Sequence, residues 1–216
     1  MATAGKIKPA LPRVGVVGLG IMGGTMAEAL LQQGYTVCGC DIDAKALARL
    51  KRAGGQCLGS AADVASQSDV VIVSLSTSQA LAQVTQSIAA LPKSQWAHKP
   101  IVIETSTLPM ADKDACANAL GKLGIVTLDA PISGTAVRIK ERAWTFFVSG
   151  KETAHRKVLP VLQVFTDKVS FVGSYGNGTK MKFAANHLVA IYNVAYAESV
   201  TLARKMGLNP QDVLDL

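Results

Sequence analysis

The sequence predicts an α/β fold: a doubly wound, mostly parallel sheet followed by one long helix. Three observations predict it. Short β-branched runs alternate with helical stretches from residue 13 to residue 173. The strand runs, Val70-Val71-Ile72-Val73 among them, are apolar at consecutive positions, as strands covered on both faces are. Beyond residue 178 the alternation stops, and residues 179–206 run for 28 positions without Pro or Gly.

In order, RVGVVG at 13–18 is a β-branched strand ending in glycine, and Ile21 to Gln33 has the apolar spacing of a helix. After a turn at Gly34 comes a second strand, TVCGCD at 36–41, then a helix over 44–52. A short segment at 56–58 and a helix over 61–67 lead to the strand DVVIVSL at 69–75. Helices over 80–91 and 109–123 flank a strand at 100–104, and a further strand follows at 125–129. The run WTFFVSG at 144–150, a helix over 152–164 and the strand KVSFVG at 168–173 continue the alternation. The long helix is closed by Gly207 and then Asn209-Pro210, and residues 211–216 read as the opening turns of another helix. A helix of that length normally buries an apolar stripe against further helices, so an all-α domain is expected to be cut short in this chain or supplied by a partner.

Composition excludes whole classes. Nearly half of the 216 residues are apolar and 17% are charged, which excludes an intrinsically disordered chain. No stretch offers the ~18 consecutive apolar residues of a membrane span, and residues 1–12 lack an apolar core of the secretory kind and read as a flexible arm. The formal charge of +7 comes from scattered lysines and arginines with 5% aromatics, a pattern that argues against nucleic acid and leaves anionic small ligands open. Cys38, Cys40, Cys57 and Cys116 have neither metal-ligand nor disulfide-framework spacing, so no metal and a reducing, cytoplasmic setting are expected.

The first chemistry-bearing motif is Gly18-Leu19-Gly20-Ile21-Met22-Gly23, between the first strand and the first helix. The tight turn needs Gly18, close approach of a pyrophosphate needs Gly20, and helix-to-strand packing needs Gly23. A glycine-rich structural turn would show the same letters. Here the second strand ends in Asp41, 18 residues after Gly23, near the ~20 expected of a carboxylate that binds ribose. Asp43 beside it adds negative charge where a 2′-phosphate would need an Arg, which favours NAD over NADP.

Ligands of such sheets collect beyond the carboxyl ends of the strands. Those ends carry Ser74 to Thr77, Thr105-Ser106-Thr107 and Asp129 to Thr135. The turn Ser133-Gly134-Thr135 can offer backbone N–H groups and hydroxyls to a carboxylate, although Ser and Thr also serve simply as turn formers. On the long helix Lys182 and Asn186, four apart, share a face, with Asn193 near the same stripe and Lys180 pointing elsewhere. A lysine near a helix N-terminus meets the positive end of the dipole, which lowers its pKa toward a range useful for acid/base work; a solvated surface lysine is the plain alternative. His98, His155 and His187 have no partner legible in the sequence.

Taken together these motifs resemble the β-hydroxyacid dehydrogenases: 3-hydroxyisobutyrate dehydrogenase, tartronate semialdehyde reductase and, more distantly, 6-phosphogluconate dehydrogenase. The likeness runs from Arg13 to Leu216 through GLGIMG, the DAPxSG loop at Asp129 to Gly134, and GxGxxxKxxxN from Gly176 through Lys182 to Asn186. It implies a Rossmann-type domain over 13–176 and, over 177–216, a long interdomain helix that starts a helical domain. It implies hydride transfer between NAD and a small β-hydroxy acid, with Lys182 as acid/base and Asn186 orienting it. Ser133, Gly134 and Thr135 would bind the substrate carboxylate, and Thr107 would lie near both nicotinamide and substrate. The cofactor set is expected to be Gly18, Gly20, Ile21, Met22, Gly23, Asp41, Leu75, Ser76 and Thr107. A homodimer or larger assembly through the C-terminal helices is expected, with no nucleic acid or membrane partner. Thr135 stands where the family usually has a second glycine, and Arg142-Ala143 where it has Gly-Thr. A dinucleotide-binding module without turnover is the alternative.

Overall fold

A computed structural model describes residues 11–96 and 98–215. Of the arm expected over 1–12, the first ten residues lie outside the described residues. The first eleven elements are β1 (Val14–Val17), α1 (Ile21–Gln32), β2 (Val37–Cys40), α2 (Ala44–Arg52), β3 (Gln56–Cys57), α3 (Ala61–Ser66), β4 (Val70–Val73), α4 (Ser78–Ala89), β5 (Ile101–Glu104), α5 (Met110–Gly121) and β6 (Val126–Asp129). After them come β7 (Ile132–Ser133), β8 (Thr145–Val148), α6 (Glu152–Leu162), β9 (Val169–Phe171), α7 (Asn177–Lys205) and α8 (Pro210–Asp215).

The first six strands form one sheet in the order β3-β2-β1-β4-β5-β6, parallel throughout. Because side chains alternate across a strand, the consecutive apolar residues feed two cores. Val14, Val16, Ile72 and Ile103 enter one, with Met26 and Leu30 of α1. Val17, Val71, Val73 and Val102 enter the other, with Val64 of α3, Leu81 of α4 and Leu120 of α5. Asp43, Ser60 and Thr77 cap α2, α3 and α4 through side-chain oxygens that accept from Lys45, Asp63 and Ala80 N–H.

The later strands depart from the single sheet that the alternation predicts. β7, β8 and β9 form a separate three-stranded sheet in which β7 and β8 are antiparallel. Only Ala130 and Pro131 separate β6 from β7, whereas a parallel neighbour needs a crossover of about a dozen residues. The chain therefore leaves the large sheet at Asp129 and stays tied to it by an antiparallel bridge between Asp129 and Ser149. Trp144, Phe146 and Phe165 pack at tilted angles between this small sheet and α6, with ring centroids 5.8–6.3 Å apart. Arg142 takes a left-handed φ of 53°, the conformation for which glycine is the ordinary choice. Its guanidinium meets the carbonyls of Gln163 and Val164 at the end of α6, and Asp167 at 2.7 Å.

The chain divides into two compact units, Met1–Thr179 and Lys180–Leu216. The second holds most of α7, with α8. The Gly207 N–H donates to the Arg204 carbonyl and the Leu208 N–H to that of Ala203, with Gly207 at φ +84°, the closure that its sequence predicts. Phe183, Leu188, Val189, Tyr192 and Val194 of α7 are exposed. Among the described residues no helix is long and apolar enough to cross a membrane.

Candidate active site

Two steric constraints build the glycine loop. Gly18 has φ +87°, and a Cβ there would lie 2.2 Å from the Ser74 carbonyl oxygen, so the ends of β1 and β4 can abut only without a side chain. A Cβ on Gly23 would fall 1.9 Å from the Gly18 carbonyl oxygen. Gly20 differs: a Cβ would meet nothing within 4 Å, so the chain itself does not require glycine there. Gly20 precedes α1, which has no side-chain cap and no acidic residue in its first turn. The opening N–H groups of α1 are thus left for an anion, and the open face at Gly20 lets one approach, which fits a pyrophosphate. The loop lies beside the junction of β1 and β4, where the strand order reverses.

Asp41, just past β2, accepts from Leu19 N–H at 2.5 Å through one oxygen and from Asp43 N–H at 2.8 Å through the other. A carboxylate has about four acceptor positions, so two remain for hydroxyl donors. Arg49 crosses behind the loop, bonding the Leu19 and Gly20 carbonyls and pairing with Glu28 at 3.2 Å. These residues fit the ribose and pyrophosphate of a dinucleotide.

The hydroxyl-rich strand ends are less uniform than the sequence implies. Thr77 caps α4; Thr105 bonds the Val73 carbonyl; the Ser106 hydroxyl is buried and accepts from Leu75 N–H at 2.9 Å. These three serve the fold, whereas Ser76 and Thr107 are exposed. Ser133 lies in β7 opposite Thr145, a short strand where the sequence implies a loop. Gly134 packs on Trp144, whose indole N–H donates to the Thr135 carbonyl at 2.6 Å, so this turn is held from beneath by an aromatic side chain.

Thus Gly18, Gly20, Ile21, Met22, Gly23, Asp41, Leu75, Ser76, Thr107, Ser133, Gly134 and Thr135 all follow the carboxyl ends of strands or lie in β7, within the first unit. Lys182 and Asn186 lie on α7 in the second unit. Lys182 is half-buried, and burial holds its ammonium below the ordinary lysine value; Lys180 and Asn186 are exposed. The direction matches the sequence expectation, with desolvation as its cause. His98 does have a partner, Asp69 at 3.0 Å, and His155 stacks on Phe171. Among the described residues no cluster of three or more His, Cys, Asp or Glu could hold a metal ion.

One group escaped sequence reasoning. Lys113 of α5 is fully buried, with Glu104 and Asp129, at the carboxyl ends of β5 and β6. Its signal was its position on the apolar face of α5, three and seven residues before the buried Cys116 and Leu120.

Residues 13–173 match the family described as the NAD binding domain of 6-phosphogluconate dehydrogenase. L-threonate dehydrogenase of Cupriavidus necator is 31% identical over 94% of this chain and 68% of its own length. This chain belongs to the β-hydroxyacid dehydrogenase family. Human mitochondrial 3-hydroxyisobutyrate dehydrogenase is 32% identical over 92% of the chain, which spans 59% of that relative's length. The solved 3-hydroxyisobutyrate dehydrogenase of Mycobacterium tuberculosis, with L-serine, superposes with a TM-score of 0.86 at 28% identity, covering 95% of this chain and 69% of that one. An imine reductase from Pseudomonas sp. shares the fold, at TM-score 0.85 and 23% identity over 96% of this chain and 71% of that one. The two curated relatives are dehydrogenases, which does not favour a binding module without turnover.

Proposed function

We propose that this chain carries the dinucleotide site and the acid/base helix of an oxidoreductase that acts on a small β-hydroxy acid, with NAD preferred to NADP. The observation that carries the reading is the uncapped start of α1 above an open Gly20, with Asp41 retaining free acceptor positions beside it. The first-turn amides of α1 hold the pyrophosphate, and Asp41 accepts from the adenosine ribose hydroxyls and repels a 2′-phosphate. When bound, the nicotinamide supplies the hydride acceptor or donor at its C4. Ser133, with the Gly134 and Thr135 amides, binds the substrate carboxylate, and Thr107 orients its hydroxyl. Lys182, partly desolvated, removes the hydroxyl proton in oxidation and returns it in reduction, with Asn186 orienting the amine.

The buried Cys38, Cys40 and Cys116, whose thiols burial makes less acidic, suit a reducing, cytoplasmic compartment. The exposed apolar residues of α7 support self-association through the C-terminal helices. The test is turnover of NAD+ with 3-hydroxyisobutyrate or L-threonate. Saturable activity lost in Lys182→Ala, with dinucleotide affinity retained, is expected. Activity that survives that substitution overturns the assignment of the acid/base.

A further inference from the structure

Lys113 is the most deeply buried cation among the described residues, with 0% exposure. It reaches Ser106 O at 2.9 Å, Asp129 Oδ1 at 2.6 Å, Thr179 Oγ1 at 2.9 Å and Glu104 Oε2 at 2.7 Å. An ammonium has three protons, and its hydrogen bonds go to Ser106, Asp129 and Thr179. Glu104 Oε2 is left with the ion pair alone, while Glu104 Oε1 accepts from Ser106 N–H at 2.8 Å.

Asp129 is wholly committed. It takes Lys113 and the Thr179 hydroxyl on Oδ1, and the Ser149 hydroxyl and Thr179 N–H on Oδ2. Gly178 N–H donates to Ser149 Oγ at 3.0 Å. The opening amides of α7 are therefore capped by groups at the end of β6 and after β8. A Cβ on Gly178 would sit 2.2 Å from the Phe147 carbonyl oxygen, so this approach tolerates no side chain.

A buried ion cluster is poor material for stability. Apolar residues of similar volume often do as well, while losing one partner strands a buried charge and is strongly destabilising. What the cluster does provide is a fixed register. One ammonium joins the backbone of the 105–107 loop, the first residue of the Asp129 to Gly134 loop and the first turn of α7. Ser106 extends the tie to the loop after β4, because its hydroxyl accepts from Leu75 N–H.

We propose that Lys113 is a positioning residue that locks the 105–107 loop, the Asp129 to Gly134 loop and the start of α7 into the one arrangement that aligns substrate with nicotinamide. It acts through those loops and touches neither ligand. The proposal rests on the reading of this edge as the substrate side, and the test separates the two.

Lys113→Met keeps most of the length of the side chain and removes the ammonium. Thr179→Val removes the hydroxyl at nearly the same volume, and Thr179→Ser keeps the hydroxyl and loses only the methyl. Three quantities are measured in the full chain with NADH present: melting temperature, NADH affinity by calorimetry, and amide exchange at residues 105–107, 129–135 and 178–179. The kcat and KM for 3-hydroxyisobutyrate and L-threonate are measured in parallel. Below its melting temperature, Lys113→Met is expected to speed exchange in those segments by about tenfold with NADH affinity little changed. It should lower kcat/KM by about 100-fold, the scale of an ångström of misplacement. Thr179→Val should move the same segments in the same direction, and Thr179→Ser should restore them.

If Lys113→Met does not fold, the Thr179 pair decides. Unchanged exchange in Thr179→Val, or a loss only in proportion to global stability in either variant, overturns the proposal. If the wild-type chain oxidises neither hydroxy acid, the functional reading fails, while the exchange data still decide the role of Lys113.

Discussion

Gly20 and Gly23 stand three residues apart in one loop, and their substitution by alanine should fail in different ways. At Gly23 the new methyl would lie 1.9 Å from the Gly18 carbonyl oxygen. Both are backbone-fixed, so the loop must open by about an ångström, an overpacking cost of roughly 1–3 kcal/mol. For a chain of this size each kcal/mol lowers Tm by about 2–4 °C, so Gly23→Ala should melt about 2–12 °C lower. At Gly20 the methyl meets nothing within 4 Å, so the fold should be indifferent, with Tm shifted by less than about 3 °C. That methyl would stand where the pyrophosphate must approach the α1 amides. A loss of about 1.4 kcal/mol or more, tenfold in Kd, is expected for NADH. Differential scanning calorimetry and isothermal titration on the same preparations read both quantities. Gly20→Ala binding NADH as tightly as wild type would refute the placement of the pyrophosphate on this loop.

Four other outcomes are expected. NADH should bind at least about tenfold, or 1.4 kcal/mol, more tightly than NADPH, and Asp41→Ser with Ile42→Arg should narrow or invert that ratio in calorimetric titrations. Lys182→Ala should lower kcat by about two to four orders of magnitude with NADH affinity little changed, whereas Lys180→Ala should leave kcat near wild type in steady-state assays. Because the lysine must be neutral to act as a base, oxidation by the wild type should rise with pH through an inflection below the ordinary lysine value, and reduction should fall through the same region. Burial depresses the pKa of His155, whose Nδ1 finds no partner among the described residues, so the unfolded chain takes up the proton first as pH drops. Stability should therefore be full above about pH 6.5 and decline below it, and His155→Phe should flatten the melting temperature between pH 7 and pH 5.

The sequence is most legible where one local rule decides the outcome. Runs such as Val70-Val71-Ile72-Val73 and the glycine stop at Gly207 lie within two residues of the observed element ends, because burial on both faces and a left-handed closure are local demands. The glycine loop was equally readable from Gly18, Gly23 and Asp41. What stayed hidden depends on connections across the chain. Periodicity places β8 and β9 as strands but cannot say that they pair with β7 in a separate sheet rather than extending the main one. Ser106 and Thr105 look like ligand groups in a hydroxyl-rich loop, yet their partners Leu75 and Val73 come from the neighbouring strand β4 and the loop that follows it. Lys113 reads as an ordinary helix lysine until Glu104, Asp129 and Thr179, up to 66 positions away, converge on it.

The measurement closest to the central claim is hydride transfer itself. NAD+ is incubated with 3-hydroxyisobutyrate or L-threonate deuterated at the hydroxyl-bearing carbons, and the reduced dinucleotide is examined by mass spectrometry. Deuterium carried to the nicotinamide by the wild-type chain, and not by Lys182→Ala, is the expected result. Tight NADH binding with no reduced dinucleotide formed from either acid, labelled or unlabelled, would contradict it.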